Sequence, residues 1–127
     1  MEDMFSVVLA THNEEKNLNK CLESIRDLAD EIIVVDGEST DRTLEIAKSF
    51  GAQVFSTTNK KNFHINKQMA MDKAKGDLIL QLDADELVDS ELKNFIQKLL
   101  GSLEEKEKLD AVAWWIKRKN FFCGRWL

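Results

Sequence analysis

Carboxylates cluster directly after an apolar stretch of the sequence. The segment LILQL, residues 78–82, predicts a strand buried on both faces, and the next four residues, DADE, include three acids. Asp83 and Asp85 stand two apart, so on an extended backbone they point to the same side and repel each other unless a cation lies between them. A few hard oxygen ligands suit Mg²⁺ or Mn²⁺, which takes its other ligands from water and phosphate. The spacing therefore predicts a metal site for a diphosphate, and helix capping is the structural alternative.

Two other predicted strands also end in polar residues. The first is followed by THNEE, residues 11–15, and the second ends in DGESTD, residues 36–41. Ligands bind open α/β sheets outside the carboxyl ends of the strands, so these segments should line one edge together with DADE. Asp36, at the tip of a buried strand, suits hydrogen bonds from a nucleoside base or a ribose hydroxyl. The residues at 39–41 are typical caps of the helix that follows.

The polar residues after the first strand have structural interpretations too. Asn13 is the predicted N-cap of the first helix, and Glu14 complements the positive end of the helix dipole. Chemistry alone decides no role for Thr11 or His12. His64 has no serine, cysteine or carboxylate partner at the spacing of a catalytic base, which indicates a surface or packing residue.

Short apolar segments alternate with helical patterns along the chain. The helical patterns place apolar residues on one face; they begin after Asn13, near Thr40, at Ile65 and after a cap at Asp89 or Ser90. Gly51 and Gly76 follow the second and third patterns as typical C′ residues. The predicted strands are Phe5–Ala10, Ile32–Asp36, Gln53–Ser56, Leu78–Leu82 and Ala111–Ile116.

This alternation predicts an α/β fold built from βαβ units. Such units form a mostly parallel sheet with helices on both faces. The length of 127 residues suits a single domain, residues 1–127. The charged segment Gly101–Asp110 is expected to end the fourth helix and continue as a solvated loop.

Composition narrows the class of protein. With 43% apolar and 32% charged residues, the chain is typical of soluble globular proteins. The net charge of −5 opposes nonspecific binding to nucleic acid. No apolar run reaches the roughly 18 residues of a membrane span, and the first residues lack the pattern of a secretory signal. We therefore expect a cytoplasmic protein whose two cysteines are reduced.

Three linked stretches together resemble one known family. They are VVLATHNEEKNLNKCLESI, EIIVVDGESTDRTLEIA and AKGDLILQLDADE, and they span residues 7–86 in order. This combination is similar to the nucleotide-sugar-binding half of family 2 glycosyltransferases, which have the Rossmann-like GT-A fold. The resemblance implies a nucleoside-diphosphate sugar, foremost a UDP-sugar, as donor and Mg²⁺ or Mn²⁺ as cofactor.

The resemblance also implies roles for particular residues. Asp83 and Asp85 would engage the ribose and the metal ion, with Asp85 the more direct metal ligand. Lys67 and Gln68 occupy the place of an arginine-asparagine pair found in many relatives, and Lys67 would neutralise a phosphate as a point charge. Four residues would hold the nucleoside: Thr11, Asn13, Glu14 and Asp36.

The family reaction is an inverting sugar transfer to a hydroxyl of a glycan or lipid-linked acceptor. The metal and Lys67 would stabilise the departing diphosphate. The tail Ile116–Leu127 resembles a subgroup that acts on lipopolysaccharide core or related surface glycans, so the full-length enzyme is expected in the cytoplasm at the inner face of the cell membrane.

Family members extend beyond residue 127, and their second half supplies the acceptor site and the base. Residues 111–127 are therefore expected to begin the acceptor-side region of a longer enzyme. No catalytic base is assigned, and Glu86 is expected to begin the next helix. The chain alone is expected to bind donor without turnover.

Two other classes of protein share parts of this pattern. Nucleotidyltransferases use a related fold but need a glycine-rich loop after the first strand, and the segment Leu9–Asn17 contains no glycine. A noncatalytic receiver-like module would use Asp36 as phosphoryl acceptor, or the chain would be another nucleotide-binding module. In a receiver, the DADE segment would have no explanation.

Overall fold

Four parallel strands form one sheet in the computed structural model, which describes residues 4–58 and 62–100. Their spatial order is β3-β2-β1-β4, with β1 pairing with both β2 and β4. Every residue of β1 and β2 is buried, as the continuous apolar runs predict for strands covered on both faces. The strands are β1 (Phe5–Thr11), β2 (Glu31–Gly37), β3 (Gln53–Thr57) and β4 (Leu78–Gln81).

Four helices alternate with these strands, which confirms the predicted α/β class. One apolar core lies between the sheet and α1, α2 and α4, and a smaller one lies beneath α3 on the opposite face. Helices therefore cover both faces of the sheet, as predicted. The helices are α1 (Leu18–Glu23), α2 (Thr43–Ser49), α3 (Phe63–Lys73) and α4 (Ser90–Leu100).

The central strands contribute to both cores because successive strand residues point to opposite faces. Phe5, Val7 and Leu9 of β1 lie in the larger core, whereas Val8 lies beneath α3. Leu22 of α1 is fully buried in the larger core. Burying one such side chain contributes about 1.5–3 kcal/mol, so this core is a main source of stability.

The two glycines predicted as helix C′ residues have different roles. Gly51 follows the C-cap of α2 with φ of 78°, which confirms its prediction. α3 ends at Lys73, and Ala74 is already extended, so the prediction for Gly76 is wrong. A Cβ at Gly76 would lie 2.8 Å from the backbone nitrogen of Ser6. Its lack of a side chain lets the chain pass close to β1.

A buried carboxylate ties the amino ends of the strands to this passing segment. Glu31 Oε2 accepts hydrogen bonds from Ser6 Oγ at 2.5 Å and from the backbone N–H of Lys75 at 2.9 Å. Ser6 Oγ in turn accepts from the N–H of Gly76 at 2.9 Å. These bonds fix the connection between α3 and β4 at the edge of the sheet opposite the strand carboxyl ends.

Some predictions concern residues outside the described ranges. They are the fifth strand Ala111–Ile116, the loop Gly101–Asp110 and the acceptor-side region 111–127. Within the described ranges, no helix has both the length and the apolar character needed to cross a bilayer.

Candidate functional site

A pocket of about 220 Å³ opens at the carboxyl ends of the strands. β1, β2 and β4 are neighbours and run in parallel, so their polar ends meet at one edge, as predicted. The edge thus brings together residues more than 60 positions apart in the chain. The lining residues are Ala10, Glu14, Lys67, Asp83, Ala84 and Asp85.

The DADE segment reaches this pocket as a turn rather than as an extended strand. The N–H of Glu86 donates to the carbonyl of Asp83 at 2.9 Å, and Glu86 Oε1 accepts from the N–H of Asp83 at 2.8 Å. The expected extended backbone is therefore wrong. Both Asp83 and Asp85 nevertheless line the same pocket.

Glu86 does not begin the next helix, contrary to the prediction. α4 begins at Ser90, where Asp89 Oδ1 accepts from the N–H of Leu92 at 2.8 Å. This bond confirms Asp89 as the cap. Glu86 is instead the residue that closes the DADE turn.

Lys67 approaches the pocket from α3, on the other side from α1. Its Nζ lies 3.0 Å from Asp83 Oδ1, and the two side chains are 27% and 48% exposed. Gln68 extends along the helix instead, where its Nε2 donates to Asp72 at 2.8 Å. Of the predicted pair, Lys67 alone lines the pocket.

Carboxylates dominate the electrostatics of the pocket. Burial raises the pKa of Glu14, and the nearby charges of Asp85, Asp83 and Asp41 raise it further, against a lowering effect of His12. A raised pKa means that the ionised form is unfavourable here. The pocket is thus suited to a cation or to a cation bound to phosphate.

Glu86 experiences the same environment. Burial is the largest influence that raises its pKa, and Asp83 and Asp85 add to it. The hydrogen bond from the N–H of Asp83 and the charge of Lys67 act in the opposite direction.

The two aspartates fit a divalent ion only as part of its ligand set. Among the described residues, no group of three or more histidines, cysteines and carboxylates is arranged to hold a metal. Asp83 and Asp85 offer hard oxygen ligands beside a pocket, which suits Mg²⁺ or Mn²⁺ when diphosphate and water oxygens complete the coordination. The residues therefore fit a metal that arrives with a nucleotide.

Asp36 is fully buried near the carboxyl end of β2 and has protein partners for both carboxylate oxygens. Its Oδ1 accepts from Thr11 Oγ1 at 2.7 Å and from Ser39 Oγ at 2.6 Å. Its Oδ2 accepts from the N–H of Ser39 at 2.9 Å. Asp36 thus positions the loops after β1 and β2, and the phosphoryl-acceptor role of the receiver alternative does not fit a side chain with no exposure.

Asn13 is not the N-cap of α1, which corrects its prediction. Asn17 holds that position, and Asn13 adopts a left-handed backbone with φ of 53°. Its Oδ1 accepts from the N–H of Thr40 at 2.8 Å. His12 Nδ1 lies 2.6 Å from the carbonyl oxygen of Gly37 and therefore donates to it. Both contacts join the loop after β1 to the loop after β2.

Two hydroxyls brace the loop after β1: Ser39, which was predicted to cap a helix at this edge, and Thr43, which had no predicted role. Ser39 Oγ accepts from the N–H of Asn13 at 2.8 Å, and Thr43 Oγ1 accepts from the N–H of Glu14 at 2.8 Å. Thr43 also donates to Asp41, whose carboxylate accepts from the first N–H of α2 at 2.9 Å. The N-cap of α2 is Arg42, so the prediction that residues 39–41 cap this helix is wrong, although Asp41, one residue before the cap, still bonds the first helical N–H. The sequence signal for this bracing role was the run of hydroxyl residues that follows the neighbouring parallel strand.

His64 and Cys21 are not among the residues that line the pocket. His64 is exposed on α3, which confirms the prediction of a surface residue. Cys21 is fully buried in α1, and its Sγ donates to the carbonyl of Asp83 at 3.5 Å. Cys21 therefore supports the backbone of the DADE turn.

Residues 6–125 match the sequence model of the family described as "Glycosyl transferase family 2". The chain belongs to this family. An uncharacterised glycosyltransferase of Rickettsia bellii is 36% identical over 104 residues, which is 82% of this chain and 35% of that protein. The lipopolysaccharide core biosynthesis glycosyltransferase LpsC of Rhizobium meliloti is 31% identical over 88% of this chain and 41% of its own length. This chain spans about a third of the length of the first curated relatives.

Similar solved structures confirm the GT-A fold. TarS 1-349 of S. aureus in complex with UDP has a TM-score of 0.66 and 25% identity, over 78% of this chain and 32% of the TarS 1-349 chain. A second structure is glucosyl-3-phosphoglycerate synthase of Mycobacterium tuberculosis in complex with Mn²⁺, UDP and glucosyl-3-phosphoglycerate. It has a TM-score of 0.60 and 27% identity, over 80% of this chain and 39% of the synthase chain. Both of these structures contain UDP, and the second contains Mn²⁺ as well.

Proposed function

We propose that residues 1–127 are the nucleotide-sugar-binding part of an inverting glycosyltransferase. The donor would be a nucleoside-diphosphate sugar, foremost a UDP-sugar, and the acceptor a glycan or a lipid-linked glycan. The observation that carries the proposal is the pocket at the strand ends, where Lys67, Asp83 and Asp85 lie together. One cation and two carboxylates at such an edge suit a diphosphate with its metal.

Asp83 and Asp85 would hold the divalent ion, Mg²⁺ or Mn²⁺. Such an ion, when bound, stabilises the negative charge that grows on the departing diphosphate. Support comes from the position of both aspartates on the pocket and from the Mn²⁺ bound by the mycobacterial synthase. Lys67 would contact a phosphate oxygen and add a second positive charge at the same place.

Thr11, Asn13, Glu14 and Asp36 would form the nucleoside end of the site. Glu14 lines the pocket directly. Asn13 and Thr11 belong to the loop that Asp36 and Ser39 hold in place, so we propose that Asp36 acts through the position of this loop. Contact between Asp36 and a nucleoside would require the chain around it to open.

The acceptor class is the part of the proposal that depends most on relatives. LpsC, which is similar over most of this chain, is described as a lipopolysaccharide core biosynthesis enzyme. We therefore propose a cell-surface glycan as the acceptor and the cytoplasmic face of the cell membrane as the place of action. No base is assigned among the described residues, so binding of donor without turnover is the expected behaviour of this chain.

Isothermal titration calorimetry with UDP, in the presence and absence of Mn²⁺, tests the proposal. We expect UDP binding that Mn²⁺ strengthens. Asp85→Ala should lose the metal-dependent part, whereas Asp27→Ala should keep it, because Asp27 is 75% exposed and pairs with Lys93. A folded sample that binds no UDP at millimolar concentration would contradict the proposed donor site. Full metal dependence in Asp85→Ala would contradict the metal assignment.

A further inference from the structure

Lys67 and Asp83, which both line the pocket, form an ion pair. The Nζ–Oδ1 distance is 3.0 Å, and both side chains are partly shielded from water. Lys67 comes from α3 and Asp83 from the segment after β4, so the pair is made by the tertiary fold and not by helix spacing. In the protein without donor, Lys67 therefore contacts one oxygen of a carboxylate that is expected to bind metal.

The charges around this pair explain why a cation is held there. Glu14, Asp83 and Asp85 line the same small pocket. Glu86 adds a fourth carboxylate, which closes the DADE turn by its bond with the N–H of Asp83. Like charges so close raise the free energy of the ionised cluster. Lys67 acts against this repulsion, since its Nζ lies 3.0 Å from Asp83 Oδ1.

We propose that Lys67 is an exchangeable counter-ion, which neutralises Asp83 in the donor-free protein and transfers to the diphosphate when a metal-bound donor arrives. The transfer to the donor rests on the proposed function, whereas the neutralisation of Asp83 does not. A lysine suits this exchange better than an arginine would, because its ammonium is a point charge on a flexible stem and lacks the bidentate fork that holds carboxylates.

The exchange predicts opposite effects of removing the lysine charge on two ligands. Without Lys67, Asp83 is free and the pocket is more negative, so a divalent cation alone should bind more tightly. A diphosphate without metal should bind less tightly, because it loses its cationic partner. A lysine that served only to stabilise the fold would weaken both or leave both unchanged.

The experiment compares Lys67→Gln with Lys67→Arg and with a charge-matched control. Lys93→Gln is that control, since Lys93 also forms a partly shielded pair, with Asp27 at 3.7 Å, outside the pocket lining. Each protein is titrated with Mn²⁺ alone, and the electron paramagnetic resonance signal of free Mn²⁺ measures binding. In a separate titration, UDP is added in the presence of a chelator that removes divalent metal. Circular dichroism verifies that each variant is folded, and Lys67→Met, which keeps an aliphatic stem, replaces Lys67→Gln if the latter unfolds.

We expect Lys67→Gln to bind Mn²⁺ about fivefold more tightly than the unmodified chain. The same variant should bind UDP about tenfold less tightly. Lys67→Arg should not gain Mn²⁺ affinity, and Lys93→Gln should remain within about twofold of the unmodified chain for both ligands.

The Mn²⁺ titration tests the counter-ion role of Lys67, and the UDP titration tests the proposed donor site. If Lys67→Gln binds Mn²⁺ no more tightly than the unmodified chain, or if Lys93→Gln gains as much, the counter-ion role is wrong whatever happens to UDP. If no variant binds UDP, with or without metal, the proposed donor site fails, while tighter Mn²⁺ binding by Lys67→Gln alone would still support the neutralisation of Asp83.

Discussion

Thr11 and Asp36 are register partners at the carboxyl ends of the two central strands, and the Thr11 hydroxyl donates to Asp36 Oδ1 at 2.7 Å. Both side chains are fully buried. Ser39 bonds the same carboxylate from the loop after β2. The distance between the loops after β1 and β2 is therefore set by one buried carboxylate and its donors.

Thr11→Val should lower the free energy of unfolding by about 1–2 kcal/mol, because a buried carboxylate oxygen loses one of its donors. Thr11→Ser keeps the hydroxyl and should lose less. Urea denaturation of the three proteins measures the difference. Equal stability of the Val and Ser variants would show that the hydroxyl bond contributes nothing.

Gly76→Ala should be more destabilising than Gly51→Ala. A Cβ at residue 76 would lie 2.8 Å from a backbone nitrogen and 2.9 Å from a backbone oxygen of β1 and its preceding residue, which cannot yield as a flexible side chain would. We expect a loss of about 3 kcal/mol there. At Gly51 nothing lies within 4 Å of the added Cβ, and the loss should be the left-handed backbone penalty of about 1–2 kcal/mol.

Thermal unfolding of the two glycine variants provides the measurement. The nucleotide affinity of each folded variant should be unchanged, because both glycines lie outside the pocket lining. A larger loss for Gly51→Ala would contradict the close-approach role assigned to Gly76.

Strand and helix alternation was predictable from the sequence because it depends on local patterns. The apolar runs of β1 and β2 do not alternate with polar residues, which predicts burial on both faces of each strand. Parallel pairing then places the polar residues that follow the strands at one edge of the sheet. Helix limits were less predictable. α1 begins at Leu18, several residues after the expected start.

The details of the site depend on contacts between distant residues. The sequence DADE is compatible with an extended segment or a turn, and the bond from Glu86 back to Asp83 selects the turn. Asparagine serves as a helix cap and also tolerates a left-handed backbone, and the N–H of Thr40, which bonds Asn13, decides between these roles. Nothing in the sequence spacing indicates that Lys67 pairs with Asp83.

Asn13→Ala should lower stability by about 1–2 kcal/mol. The variant loses the acceptor for the N–H of Thr40 and places an alanine at φ of 53°. Asn13→Asp retains both an acceptor and a tolerance for the left-handed backbone, so it should recover most of the loss. Thermal unfolding of the three proteins tests this, and an Asp variant as unstable as the Ala variant would argue against the Thr40 bond.

Cys21 should be chemically inert in the folded protein. Burial raises the pKa of its thiol to about 12, and the charges of Glu86, Asp85, Asp83 and Glu14 add to this. The thiolate is the reactive form, so in a Cys123→Ser background Cys21 should resist iodoacetamide at pH 8 and react after addition of urea. Mass spectrometry of the alkylated protein measures the modified fraction. Rapid alkylation without urea would contradict the burial of this thiol.

The same raised pKa makes a prediction about stability in alkali. Above pH 9, the ordinary pKa of a free thiol, Cys21 loses its proton in the unfolded chain but keeps it in the folded one up to about pH 12. The folded state then binds more protons, so its stability falls as the pH rises through this window, by at most about 1.4 kcal/mol per pH unit. Cys21→Ser has no titratable group at residue 21, so its stability relative to the unmodified chain should rise from pH 9 upward. A constant difference between the two proteins from pH 8 to pH 11, measured by urea denaturation, would mean that the thiol ionises equally well in both states.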